Sequence, residues 1–138
     1  AEVLKTIFLP SNIKIKVQEN LPILYGNTLK FGQVFQNLIE NSIKYIDKEE
    51  GVIEVGFTDK NDFFEFYVRD NGIGIHSNYF ERIFKVFTKL ESTSSSSGIG
   101  LSIVKKIIQF YKGSIWLESE EGIGTTFYFT ILKEDSLN

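Results

Sequence analysis

The chain predicts an α/β two-layer sandwich: one mixed, mostly antiparallel sheet with helices packed on one of its faces. Three observations predict it. Leu29 to Ile46 and Leu101 to Tyr111 carry apolar residues at helical period, and short stretches between them alternate in the manner of strands. The strands also fall mainly into hairpins rather than repeated βαβ units, which favours helices on one side of a mixed sheet. At 138 residues the chain fits one domain, 1–138, long enough to bury a core, and its 13 Phe make that core aromatic.

Each element has its own reason. Ile13-Lys14-Ile15-Lys16-Val17 alternates strictly and reads as a half-buried strand, followed by a turn at Glu19-Asn20 and a short apolar piece, Leu21 to Tyr25. Gly26-Asn27-Thr28 supplies a break and a cap for the first long helix, Leu29 to Ile46. Asp47 to Gly51 is a polar turn. Val52 to Thr58 and Phe63 to Asp70 form a hairpin through Asp59-Lys60-Asn61-Asp62. Asn78 to Phe87 is a short aromatic-rich helical segment, and the serine run within Thr88 to Ser97 has no core-forming residue and predicts a mobile loop. Gly98-Ile99-Gly100 opens the second helix, whose stripe is Leu101, Val104, Ile107, Ile108 and Tyr111. Two last strands, Ser114 to Ser119 and Thr125 to Leu132, flank the turn Glu120 to Gly124, and Lys133 to Asn138 is a fraying tail.

Composition narrows the function. A net charge of −3 argues against a broad nucleic-acid surface, where Lys and Arg must neutralise phosphates. The chain has no cysteine, so disulfides and thiolate metal sites are excluded. It shows no apolar run of the roughly 20 residues that span a bilayer and no signal peptide. With no Met, the expectation is a piece excised from a longer protein.

Arg69-Asp70-Asn71-Gly72-Ile73-Gly74-Ile75 is the stretch that carries most chemistry. Period two puts Phe64, Phe66, Val68 and Asp70 on one face, so Asp70 points inward, where a carboxylate needs donors from the protein or from a ligand N–H. Gly72 and Gly74 allow a sharp turn and the close approach of a flat ligand; a strand-ending Asp capping a glycine turn would read the same way. On the first helix, Phe31, Val34, Phe35, Leu38, Ser42 and Ile46 share the core arc, while Asn37, Asn41 and Lys44 share another and Tyr45 lies on the shoulder. Asn41 can offer a carbonyl oxygen to Mg²⁺, Lys44 can reach a terminal phosphate and Tyr45 can lie against a base, although the same residues would also serve as a polar helix surface. Gly98 and Gly100 before a helix can form an anion site or simply a cap.

In this order the motifs resemble the ATP-binding catalytic domain of sensor histidine kinases, from Ile13 through Leu132. Gln36 to Tyr45 resembles the family's N box, Asp70 to Ile75 its first glycine box, Ile83 to Phe87 its F box, Gly98 to Lys105 its second glycine box and Gly122 to Phe127 its third. The resemblance implies the Bergerat fold, ATP with Mg²⁺, and transfer of the γ-phosphate to a histidine on a separate dimerisation domain of the same parent, with a response regulator downstream. It assigns Asp70 to the adenine amine, Asn41 to the metal, and Asn37 and Lys44 to the phosphate region as catalytic residues. Tyr45 goes to the base. Gly72, Gly74, Ile75, Phe84, Phe87, Lys89, Gly98, Ile99, Gly100, Leu101 and Thr126 complete the implied ATP site. A cytoplasmic domain without direct membrane or nucleic-acid contact is the corresponding expectation.

The pattern departs from the family at Ser96, where a further glycine is usual, and at Lys89, where an Arg fork is common. Two other classes carry weight: an ATP-hydrolysing enzyme of the gyrase and chaperone kind, and a degenerate nucleotide-binding module. The hydrolysing relatives use a Glu four residues before the metal-binding Asn. Here that position is Asn37, an amide that cannot act as a general base, and Glu40 turns to another side of the helix. His76, the single histidine, follows the glycine turn in no phosphoacceptor context and reads as a partly exposed loop residue. The isolated chain is therefore expected to bind ATP without transferring phosphate.

Overall fold

The computed structural model describes residues 9–22, 28–80, 83 and 97–133, with the side chains of 28 and 97–100 outside that description. The elements are β1 (Ile13–Val17), α1 (Thr28–Tyr45), β2 (Gly51–Asp59), β3 (Phe63–Asp70), a 3₁₀ turn (Ser77–Tyr79), α2 (Ser97–Phe110), β4 (Ile115–Glu120) and β5 (Gly124–Leu132). The predicted loop at 88–96, most of the segment after Phe80, and residues 134–138 lie outside the described residues. No helix among those described is long and apolar enough to cross a membrane.

The strands form one sheet in the order β1-β2-β3-β5-β4. β1 and β2 run parallel, which requires a crossover, and α1 provides it. The remaining neighbours are antiparallel. Because β3 and β4 both run antiparallel to β5, they are parallel to each other, and α2 lies on the connection between them. The mixed, mostly antiparallel sheet with its two helices is the architecture the sequence predicts.

Alternation along each strand sends one set of side chains under the helices. Ile53, Val55, Phe66, Val68, Leu117, Phe127, Phe129 and Ile131 are buried there, facing Phe31, Val34, Leu38 and Ile39 of α1 and Leu101, Val104, Ile107 and Ile108 of α2. The centre is aromatic, as composition implied: Phe66 stacks on Phe129 at 5.2 Å between ring centres, and Phe35 meets both rings edge-on at 5.5 and 5.3 Å. These contacts fix α1 over the sheet. Ile39 belongs to the core although the predicted stripe omitted it.

α2 begins at Ser97 rather than at Leu101, so Gly98 and Gly100 lie inside its first turn. First-turn N–H groups have no intrahelical partner in any case, so glycine weakens the helix least at that end. The outer sheet face carries Trp116 stacked on Tyr128, and Arg69 over the Tyr67 ring at 4.9 Å.

Candidate functional site

Strand register assembles the site at one end of the sheet. Asp70 lies between Ile53 and Thr125, and Thr125 lies opposite Ser119. Ser119, Thr125 and Asp70 therefore form a polar row on the helix side. The next row, Leu117, Phe127, Val68 and Val55, is wholly apolar.

Asp70 is 6% exposed. Its Oδ1 accepts the Gly72 N–H at 2.8 Å and the Thr125 N–H at 3.3 Å. Both backbone donors converge on one oxygen, Oδ1. Burial pushes the Asp70 carboxyl above the ordinary value near 3.8, and the Gly72 N–H, the Ser42 hydroxyl, the Thr125 N–H and the Lys48 charge pull it back. Ser42 faces the carboxyl from α1, yet its buried Oγ makes no hydrogen bond of good geometry with the protein. Beside it, the buried Asn41 Oδ1 has no partner either. A buried acceptor left without a donor costs about 1–3 kcal/mol, which makes the Asn41 oxygen an energetic exception on this helix.

At both glycines the space a side chain would need is taken by the protein itself. A Cβ on Gly72 would stand 2.9 Å from Asp70 Oδ1 and 3.0 Å from the Tyr45 carbonyl carbon. Gly74 has φ +80°, and a Cβ there would lie 2.7 Å from the Glu120 carbonyl carbon. Backbone packs against backbone at both positions. The Ile73 N–H donates to Tyr45 O at 3.0 Å, and Ile73 O accepts the Gly122 N–H at 2.8 Å. The turn after β3 is thus held between the end of α1 and the β4–β5 turn. Ser119 Oγ extends the clamp, accepting the Ile75 N–H at 2.7 Å, donating to Gly124 O at 3.0 Å and meeting Thr125 Oγ1 at 2.7 Å.

The other predicted residues fall into three groups. Asn37 is half-buried one turn before Asn41, Lys44 is exposed with its Nζ 5.3 Å from the centre of the Tyr45 ring, and Ile75 is partly buried against the core. Two assignments need correction. Thr126 is on the outer face, where its Oγ1 accepts from Arg69 Nε at 3.2 Å, because strand parity sends its neighbour Thr125 inward to Asp70. Leu101, 2% exposed, is a core residue packed with the apolar face of α2. Gly98, Ile99 and Gly100 contribute backbone to the first turn of α2, and Phe84, Phe87 and Lys89 lie outside the described residues. Thr125, Ser119 and Ser42 were missed as site residues. Counting back by two from Phe129 and Phe127 leads to Thr125, and a serine on an otherwise apolar helix stripe was the signal for Ser42.

His76 is exposed: Nδ1 accepts the Asn78 N–H at 3.0 Å, capping the 3₁₀ turn, and Nε2 lies 4.0 Å from Glu121 Oε1. It is the loop residue expected of it.

A mixed sheet with its helices on one face thus ends in a row that holds a buried carboxylate, under a helix carrying a buried amide oxygen without a hydrogen-bond partner. The chain belongs to the Histidine kinase-, DNA gyrase B-, and HSP90-like ATPase family, which matches residues 26–135. It is 46% identical over 125 residues to cyanobacterial phytochrome B of a Nostoc species, a match covering 88% of this chain and 17% of that protein. The methanogenesis regulatory histidine kinase FilI of Methanothrix harundinacea is 42% identical over 120 residues, covering 86% of this chain and 14% of that one. The chain therefore spans less than a fifth of the length of these two relatives. Among solved structures, the nucleotide-free catalytic domain of histidine kinase ThkA superposes with TM-score 0.75 at 31% identity, covering 88% of this chain and 80% of that one. The mycobacterial sensor histidine kinase MprB shares the fold at TM-score 0.77 and 22% identity, over 88% of this chain and 84% of that one.

The raised Asp70 pKa fixes the sign of a pH effect. Below about 3.8 the carboxyl is neutral in both folded and unfolded chains; above it the unfolded chain ionises first, so stability is lost as pH rises through the folded-state value. Asp70→Asn keeps an acceptor for Gly72 and Thr125 and removes the titration. Urea unfolding at a series of pH values should show the unaltered chain losing stability relative to Asp70→Asn from about pH 3.8 upward; a pH-independent difference would contradict the burial argument.

Proposed function

We propose that this chain is the ATP-binding catalytic domain of a sensor histidine kinase within a longer protein, binding Mg-ATP and donating the γ-phosphate to a histidine on a separate dimerisation domain, from which a response regulator receives it. The observation that carries the Mg-ATP reading is the buried, unpaired Asn41 Oδ1. A neutral amide oxygen suits a hard cation that keeps several waters and takes phosphate oxygens besides one or two protein ligands. Asn41 would hold the ion, and Mg²⁺ bound there offsets the charge of the phosphate oxygens. Asp70 Oδ2 would accept the adenine amine, with Thr125 beside it, and Tyr45 would lie against the base. Asn37 and Lys44 line the helix on the phosphate side. The pocket's contribution is positioning and charge stabilisation rather than covalent chemistry.

Transfer is favoured over hydrolysis by one residue. Asn37 stands one helical turn before Asn41, where the hydrolysing relatives use a carboxylate to activate water, and an amide cannot take that proton near neutral pH. Glu40 is exposed on α1. The parent's cellular side is taken as cytoplasmic, since ATP is the substrate.

Two experiments test this reading. Asn41→Ala should weaken ATP binding by about tenfold or more with Mg²⁺ and change it little when the metal is chelated, as titration calorimetry reads it; equal losses in both conditions would assign Asn41 to the nucleotide or the fold. Incubation of the chain with Mg-ATP should yield neither steady phosphate release nor self-phosphorylation, and adding the parent's dimerisation hairpin should produce acid-labile phosphate on that hairpin. Steady hydrolysis unaffected by the hairpin and abolished by Asn37→Ala would support the ATPase instead.

A further inference from the structure

Lys48 lies in the loop between α1 and β2, flanked in sequence by Asp47, Glu49 and Glu50. Three neighbouring carboxylates would ordinarily hold such an ammonium in a solvated loop. Here it is half-buried, and Nζ donates to Asn71 O at 2.5 Å and to Gly122 O at 3.4 Å. Those carbonyls belong to the turn that follows Asp70 and to the β4–β5 turn that leads into β5, where Thr125 supplies the second donor to Asp70. Lys48 is itself anchored, its carbonyl accepting from Asn12 Nδ2 at 3.1 Å. Asn71 is held independently, with Oδ1 accepting the Val52 N–H at 2.9 Å and Nδ2 donating to Glu50 O at 3.0 Å. The ammonium therefore bridges both turns to the loop at the exit of α1.

We infer that Lys48 is a positioning residue for base recognition: by donating to the carbonyls of Asn71 and Gly122, it holds the turn after β3, whose Gly72 N–H aims the Asp70 carboxylate, against the β4–β5 turn. A charged donor is stronger than a neutral one, so losing it loosens the turn after β3 and with it the Gly72 N–H that holds Oδ1. Its charge also lies close enough to Asp70 to favour the ionised carboxyl, in the same direction as the geometric effect. The inference rests on the proposed reading of Asp70 as the residue that accepts the adenine amine.

The test compares two probes, ATP and purine riboside 5′-triphosphate, which lacks the 6-amino group. Lys48→Met should weaken ATP binding by roughly tenfold while leaving the analogue's affinity unchanged, because only the amine uses the aimed oxygen. Lys48→Arg should retain most of the ATP affinity, and Lys48→Gln, with a donor but no charge, should fall between the two. In an Asp70→Ala background, Lys48→Met should add nothing. Equal weakening of both probes would make Lys48 a merely structural tie, and unchanged ATP binding by both uncharged variants would leave it no role; either result overturns the inference while the unaltered chain's preference for ATP stands. If the unaltered chain binds both probes equally well, the adenine reading of Asp70 falls and the inference with it.

Discussion

A carboxylate at the end of an apolar sheet has to be given donors, and most of what surrounds Asp70 follows from that need. Burial of an ion without partners costs far more than a domain of this size has to spare, whereas each hydrogen bond to a charged group contributes about 1.5–3 kcal/mol. Gly72 donates from the turn directly after β3, and Thr125 donates from the start of β5. The charge is thus stable only when two turns distant in sequence have come together. Site formation and completion of the fold are the same event in this corner of the molecule.

The aromatic centre makes that corner possible. Phe35 is fixed edge-on against Phe66 and Phe129, and seven residues further along α1, about 10 Å at helical rise, Ser42 arrives over the polar row. One residue earlier, Asn41 carries a buried side-chain oxygen on the neighbouring arc of the helix. The end of α1 then accepts the Ile73 N–H through Tyr45 O, which locks the turn after β3 beneath it. Two oxygens on α1 remain unsatisfied in an otherwise well-bonded region.

Much of this was legible before any coordinates. Strict alternation from Phe64 to Asp70 placed the carboxylate inward, and the 3.6-residue period separated the core arc of α1 from the arc holding Asn37, Asn41 and Lys44. Strand bounds agree to within a residue or two because alternation ends at polar turns on both sides. The failures also have physical causes. Thr126 rests on the family resemblance alone, whereas alternation from Phe129 and Phe127 turns Thr125 inward to Asp70. Leu101 was placed at the ligand although its position on the apolar stripe of α2 sends it to the core. The close backbone packing at Gly72 and Gly74 depends on contacts with Tyr45 and Glu120 that no local pattern encodes. Lys48 was invisible for the same reason, because its partners lie 23 and 74 residues away.

The central claim is that Asp70 offers an ionised oxygen that reads the amino group of adenine. Titration calorimetry of the unaltered chain with ATP and with inosine triphosphate, each with Mg²⁺, tests it most directly. The two nucleotides carry the same phosphates and sugar, but inosine presents a carbonyl oxygen where adenine presents its amine. A carboxylate facing that carbonyl loses its hydrogen bond and faces another acceptor, so ATP should bind at least about tenfold more tightly. Equal affinities for the two would contradict the account.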